Sequence, residues 1–91
     1  MFRYWTEDEF ASSFRKMLTV EQYRSGEMNR LYHQYIGEGP LRYTADILGS
    51  EEKALTLYAP MHLLYGIYDE GMGKEAYEIL DRHLEKWSEQ N

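Results

Sequence analysis

The segment from Ala54 to Tyr68 constrains the fold more than any other part of the chain, because a helix built from it is apolar on nearly all sides. A helix at the surface of a small globule normally keeps one polar face, and this segment has none. It must therefore be covered on two sides. The last helix of the same chain can supply one cover, and a second copy of the chain can supply the other.

Capping residues and apolar spacing predict an all-α fold, a helical bundle of about five to six helices. The capping-box order from Thr6 to Glu9 predicts a first helix that runs to about Leu18, with Phe10, Phe14 and Met17 on its inner side and Ser12 and Arg15 on its outer side. A short second helix is predicted to open at Thr19, and a third to run over 27–36. A fourth is predicted over 41–48, with Gly49 as the residue that closes it. A fifth runs from the N-cap Ser50 to about Tyr68 with Pro60 inside it, and the last covers 74–89.

The last two predicted helices are joined by the short loop Asp69 to Gly73, which favours antiparallel packing. The final helix has a broad apolar face of its own. We expect two such helix pairs, one from each copy of the chain, to form a dimeric four-helix bundle. The residues predicted at this dimer interface are Leu57, Leu64, Tyr68, Tyr77, Leu80, His83, Leu84 and Trp87.

Charge and composition exclude several classes of function. The formal net charge is -6, from 16 acidic and 10 basic residues, and the basic residues are scattered, so direct binding to nucleic acid is not expected. The chain has no cysteine and therefore no disulfide or thiolate metal site. Its start is too polar for a signal peptide and no stretch is long enough to span a membrane, so a cytoplasmic location is expected.

Catalytic and metal-binding motifs are also missing. His33, His62 and His83 lie on three different predicted helices, and none forms a pair with another ligand at the helical spacing that grips a metal. No Ser, Thr or Lys stands in a nucleophile motif. The sequence therefore predicts a protein that is not an enzyme and that needs no metal or other cofactor.

Six short segments follow one another in a recognisable order: 18–24, Leu31-Tyr32, Gly39-Pro40-Leu41, 57–61 with Leu63-Leu64, Tyr68-Asp69, and Leu80 with 82–84. Their order and spacing resemble the C-terminal half of tetracycline-repressor (TetR) family regulators. The resemblance implies that residues 1–91 form a single C-terminal regulatory domain for ligand binding and dimerisation. The N-terminal helix-turn-helix domain of that family is absent here, so contact with DNA is expected only through that missing domain.

The resemblance also implies a pocket among the earlier helices for a small hydrophobic effector. Apolar walls with a few hydroxyl and imidazole groups would suit such a molecule. The candidate ligand-binding residues are Met28, Leu31, Tyr32, Tyr35, Tyr43, Met61, His62 and Tyr65, although each aromatic residue also fits simple core packing. The alternative function is a free-standing helical dimerisation or adaptor module without a small-molecule ligand.

Overall fold

A computed structural model describes residues 1–90, and within that range it contains six α-helices and no β-strand. This confirms the predicted all-α fold class. The helices are α1 (Phe2–Glu7), α2 (Glu9–Glu21), α3 (Gly26–Tyr35), α4 (Glu38–Leu48), α5 (Glu51–Asp69) and α6 (Gly73–Gln90).

The helices fall into two compact units. Unit one is Met1–Thr44, in which α2 packs against α1 and α3. Unit two begins at Ala45, within α4, and in it α5 packs along α6. The single regulatory domain expected over 1–91 stays a prediction.

Helix α1 was not predicted, and it changes how α2 begins. Thr6, the predicted N-cap, lies inside α1, where its hydroxyl donates to the carbonyl of Phe2 at 2.9 Å. Asp8 takes the capping role instead, because its backbone is extended and its carboxylate accepts from the backbone N–H of Ala11 at 2.8 Å. The predicted start of the first helix at Thr6 is therefore wrong. Asp8, which directly follows α1, is the N-cap of α2.

The buried face of α2 also differs from the predicted one. Ser12 and Arg15 are buried, at 8% and 2% exposure, whereas Phe10 is 77% exposed and Met17 is 40% exposed. The reason is the packing of α1 on α2, which brings the guanidinium of Arg15 to the carbonyl of Trp5. The Arg15 Nε donates to that carbonyl at 2.9 Å, near the C-terminal end of α1, where helix carbonyls lack partners within their own helix.

No second helix opens at Thr19, because α2 continues to Glu21. The hydroxyl of Thr19 donates to the Arg15 carbonyl at 2.8 Å, as a threonine inside a helix does. Helix α3 begins at Gly26, and its N-cap is Ser25, whose hydroxyl accepts from the N–H of Met28 at 3.1 Å.

The ends of α4 and α5 follow the sequence signals more closely. Helix α4 begins at Glu38, somewhat earlier than predicted, and ends at Leu48; Gly49 follows it with a φ of +73°, which suits glycine. Ser50 caps α5 by accepting from the N–H of Lys53 at 3.2 Å. Pro60 lies inside α5, as predicted.

Candidate dimerisation surface

The residues predicted at the dimer interface lie where α5 and α6 of one chain pack together. Leu64 of α5 is 1% exposed and Leu80 of α6 is 6% exposed. The rings of Tyr68 and Tyr77 meet edge to face with centroids 6.1 Å apart. These side chains therefore pack α5 against α6 within a single chain.

Two ring nitrogens of α6 also reach the backbone of α5. His83 Nε2 lies 3.3 Å from the carbonyl oxygen of Leu57, and because a carbonyl can only accept, this nitrogen must carry the hydrogen. The indole N–H of Trp87 lies 3.2 Å from the carbonyl of Lys53 and 3.1 Å from the hydroxyl of Thr56. These contacts fix α6 along the first half of α5.

Most of the predicted interface residues are therefore engaged within one chain. Leu84 is the exception, at 36% exposure. A role for these residues in a dimer stays a prediction, and the apolar surface available to a second copy lies elsewhere on α5.

The opposite side of α5 forms an exposed apolar surface, which we call the α5 outer face. It consists of Leu55, Ala59, His62, Leu63 and Gly66, all of which are exposed. Leu55 is 52% exposed and Leu63 is 70% exposed. Their spacing places these residues on one side of the helix. Of these residues only His62 was predicted to be functional, as a ligand contact, although the helical spacing of the apolar residues could have indicated the others.

The α5 outer face has no charged residue between Lys53 and Asp69. Exposed acidic residues stand at its two ends, Glu51 and Glu52 at the start and Asp69 and Glu70 at the finish. The face is therefore an uncharged strip with acidic ends.

His62 is the one titratable side chain on the α5 outer face. Its ring meets the rings of Tyr58 and Tyr65 edge to face, at centroid distances of 5.2 and 6.3 Å. Partial burial lowers the pKa of His62 below its ordinary value, because burial disfavours the charged form. His62 is therefore neutral at neutral pH, which keeps the strip uncharged.

The candidate ligand-binding residues of unit one differ in burial. Met28, Leu31 and Tyr32 are half-buried, whereas Tyr35 is 42% exposed and Tyr43 is 66% exposed. Phe14, which was predicted on the inner side of the first helix and not as a ligand contact, meets Tyr35 edge to face with ring centroids 5.5 Å apart. Phe14 in turn stacks on Phe10 at 6.2 Å.

Tyr32 is the most enclosed phenol of this group. Burial raises the pKa of the Tyr32 phenol above its ordinary value, and the nearby phenol of Tyr23 adds to the rise. A hydrogen bond with Gln22 and the charge of Arg15 act in the opposite direction. The raised pKa keeps the Tyr32 phenol in its neutral form.

The remaining three candidate ligand-binding residues belong to α5. Met61 and Tyr65 are buried, at 8% and 4% exposure, and His62 lies on the α5 outer face. The structure thus assigns five candidates to unit one, Met28, Leu31, Tyr32, Tyr35 and Tyr43, and the other three to unit two. A common pocket for all of them stays a prediction.

Residues 1–90 provide neither a ligand set for a metal ion nor a membrane-spanning helix. No group of three or more His, Asp or Glu side chains in this range is placed to hold a metal ion. No helix in the same range combines the length and the apolar character that crossing a membrane requires.

No family model, curated protein or solved structure matches this chain.

Proposed function

We propose that this chain is a helical homodimerisation domain that pairs through the α5 outer face. The observation that carries the proposal is the exposure of Leu55 and Leu63 on an uncharged strip of α5. Full burial of one leucine side chain is worth about 1.5 to 3 kcal/mol, so a dimer that covers both leucines in each copy gains several kcal/mol. A second copy supplies the second cover that the apolar segment from Ala54 to Tyr68 requires.

The resemblance to TetR-family regulators supports a fuller form of the proposal. In that form the domain works in the cytoplasm, and occupancy by an effector shifts the dimer between two arrangements. DNA-reading domains outside residues 1–91 would follow the shift. Such coupling requires an effector that binds the two arrangements with different affinity.

Leu63→Glu is expected to convert the dimer into a monomer. The side chain is 70% exposed in one chain, so the substitution leaves folding intact, but in the dimer it would place an unpaired carboxylate in an apolar contact. We expect a loss of association of at least about 100-fold, equivalent to about 2.7 kcal/mol. Light scattering over micromolar concentrations measures the mass, and circular dichroism checks the helix content.

Val20→Glu is the matched control, because Val20 is a similarly exposed aliphatic residue, at 61%, on α2 in unit one. It adds the same charge and should leave the dimer unchanged. A wild-type chain that is monomeric at about 100 µM, or a Leu63→Glu variant that dimerises as well as Val20→Glu, would overturn the proposal.

Effector binding is a second candidate function, favoured by the aromatic cluster of Phe10, Phe14 and Tyr35 on α2 and α3, whose rings contact one another in sequence. Flat aromatic walls with phenol groups suit a planar, hydrophobic molecule. This function separates a ligand-sensing regulator from an adaptor module, which would have no ligand.

A thermal-shift screen with planar hydrophobic compounds tests this second function. One compound at about 100 times its dissociation constant should stabilise the fold by about 2.7 kcal/mol. Tyr35→Ala should remove that shift, because it deletes one wall of the cluster. Tyr23→Ala is the control, since Tyr23 is 85% exposed and should retain the shift. An equal loss in both variants, or no shift with any compound, would favour the adaptor function.

A further inference from the structure

We propose that α3 and α4 form a lid, residues 26–48, that opens away from α2 while α5 and α6 stay folded. The two helices of the lid move together, the buried side chain of Ile36 holds them closed, and the breaks in helix at 22–25 and 49–50 act as hinges. The inference does not depend on dimerisation. It assigns to one segment of the chain a local opening that precedes global unfolding.

The two helices of the lid bury little of their surface. The structure describes Gly26–Tyr35 and Glu38–Leu48 in full, and no residue of either helix is buried. In contrast, Leu18 of α2 is 0% exposed, and α5 contains five buried side chains. Helices shorter than about 12 to 15 residues are marginal in water without tertiary packing. With 10 and 11 residues, α3 and α4 therefore depend on packing and gain less from it than α2 or α5.

Ile36, the residue that follows α3, is the main anchor of the lid. It is 1% exposed and is among the largest fully buried side chains in residues 1–90. Leu31, Tyr32 and Leu41 of the lid are only half-buried. Closure of the lid therefore depends strongly on one side chain, and truncating that side chain should favour the open form.

Backbone contacts join α3 to α4. Gly39 approaches Gln34 so closely that a Cβ atom at Gly39 would fall on the Gln34 carbonyl oxygen. The N–H groups of Ile36 and Gly37 both donate to the carbonyl of Tyr32, at 2.8 and 3.1 Å. Because these contacts hold the end of α3 against the start of α4, we expect the two helices to open as one body.

Breaks in helix bound the lid at both ends. Ser25, the N-cap of α3, has an extended backbone, with a φ of −152° and a ψ of 153°. Gly49, which follows α4, has a φ of +73°, a conformation that glycine adopts without strain. No helix runs through either end, so rotation about a few backbone bonds at each break is enough to move the lid.

Opening of the lid would take apart the aromatic cluster on α2 and α3. Tyr35 belongs to the lid and Phe14 belongs to α2, and their rings meet edge to face with centroids 5.5 Å apart. A planar compound that contacts both rings would bind only the closed form and would therefore stabilise it. This step rests on the second candidate function, effector binding. It makes closure of residues 26–48 the response of the chain to its effector.

Hydrogen–deuterium exchange of the full chain, measured by mass spectrometry, tests the lid. Under conditions in which closing is faster than exchange, we expect the helical amides of 26–48 to exchange at least about 100-fold faster than those of 54–68, after correction for intrinsic rates. Ile36→Ala should speed exchange of the lid by a further factor of about 30, equivalent to about 2 kcal/mol. If Ile36→Ala does not fold, Ile36→Val replaces it, with an expected factor of about 3.

Leu64→Ala separates lid opening from global unfolding, because Leu64 packs α5 against α6 and stays buried when the lid opens. This variant should speed exchange of 54–68 and leave exchange of the lid unchanged. Leu63→Ala is the control, since Leu63 is 70% exposed; below the concentration at which the chain dimerises, it should change neither segment.

Three results would overturn the lid: equal protection of the two segments in wild type, a Leu64→Ala variant that speeds exchange of both segments equally, or an Ile36 variant that leaves exchange of 26–48 unchanged. Failure of effector binding gives a different result. A lid that opens as expected, but whose exchange no planar compound slows, would leave the lid in place and overturn only its link to an effector.

Discussion

Leu64→Ala is expected to lower the free energy of unfolding by about 2 to 5 kcal/mol, the range for deleting a buried leucine side chain. Leu64 is 1% exposed and is one of the largest fully buried side chains in residues 1–90. In a domain whose total stability is of the order of 5 to 15 kcal/mol, such a loss removes a large share of the free energy of unfolding. Urea denaturation followed by circular dichroism measures the change.

Leu63→Ala is the matched control, because it makes the same substitution at the adjacent residue of the same helix. Leu63 is 70% exposed, so below the concentration at which the chain dimerises the change should stay within about 0.5 kcal/mol. Equal losses of stability in the two variants would mean that the buried and outer faces of α5 are wrongly assigned here. The pair therefore separates the core of unit two from the surface proposed for dimerisation.

The sequence predicted the features of the fold that depend on local chemistry. The structure contains three of them: Ser50 caps α5, Gly49 follows the last residue of α4, and a short link joins α5 to α6. Each depends on a few neighbouring residues, since a hydroxyl can cap only its own helix and a positive φ favours glycine wherever it occurs. Such signals can be read without knowledge of the tertiary contacts.

The buried face of α2 could not be predicted in this way. Apolar periodicity places Phe10 inside and Arg15 outside, and the structure does the reverse. The Arg15 guanidinium donates to the carbonyl of Trp5 in another helix, and that contact allows a charged residue to be buried. No pattern within α2 indicates this partner, because it depends on how α1 packs.

Helix α5 shows a different limit of sequence reasoning. Its sequence has no polar face, and an almost uniformly apolar helix does not indicate which of its sides packs within its own chain. The predicted interface residues Leu57 and Leu64 lie on the side that packs within the chain. The outer side carries Leu55 and Leu63. Only the packing of α6 along α5 distinguishes the two sides.

Gly39→Ala is expected to destabilise the fold by about 3 kcal/mol, the upper part of the range for overpacking. Gly39 lies in the first turn of α4, next to the last turn of α3. A Cβ atom at this position would fall on the carbonyl oxygen of Gln34 and lie 2.9 Å from its carbonyl carbon. Both atoms belong to the backbone, so relief requires the end of α3 to move.

The sign of this effect makes the test sharp, because alanine normally stabilises a helix relative to glycine by about 1 kcal/mol. Gly26→Ala is the control: Gly26 is the first residue of α3, and a Cβ atom there would have no neighbour within 4 Å. We expect Gly26→Ala to stabilise the fold by about 0.4 to 1 kcal/mol, by restricting the unfolded chain. Urea midpoints that move in opposite directions for the two variants are the expected result. A Gly39→Ala variant as stable as Gly26→Ala would show that α3 and α4 do not approach each other closely at Gln34.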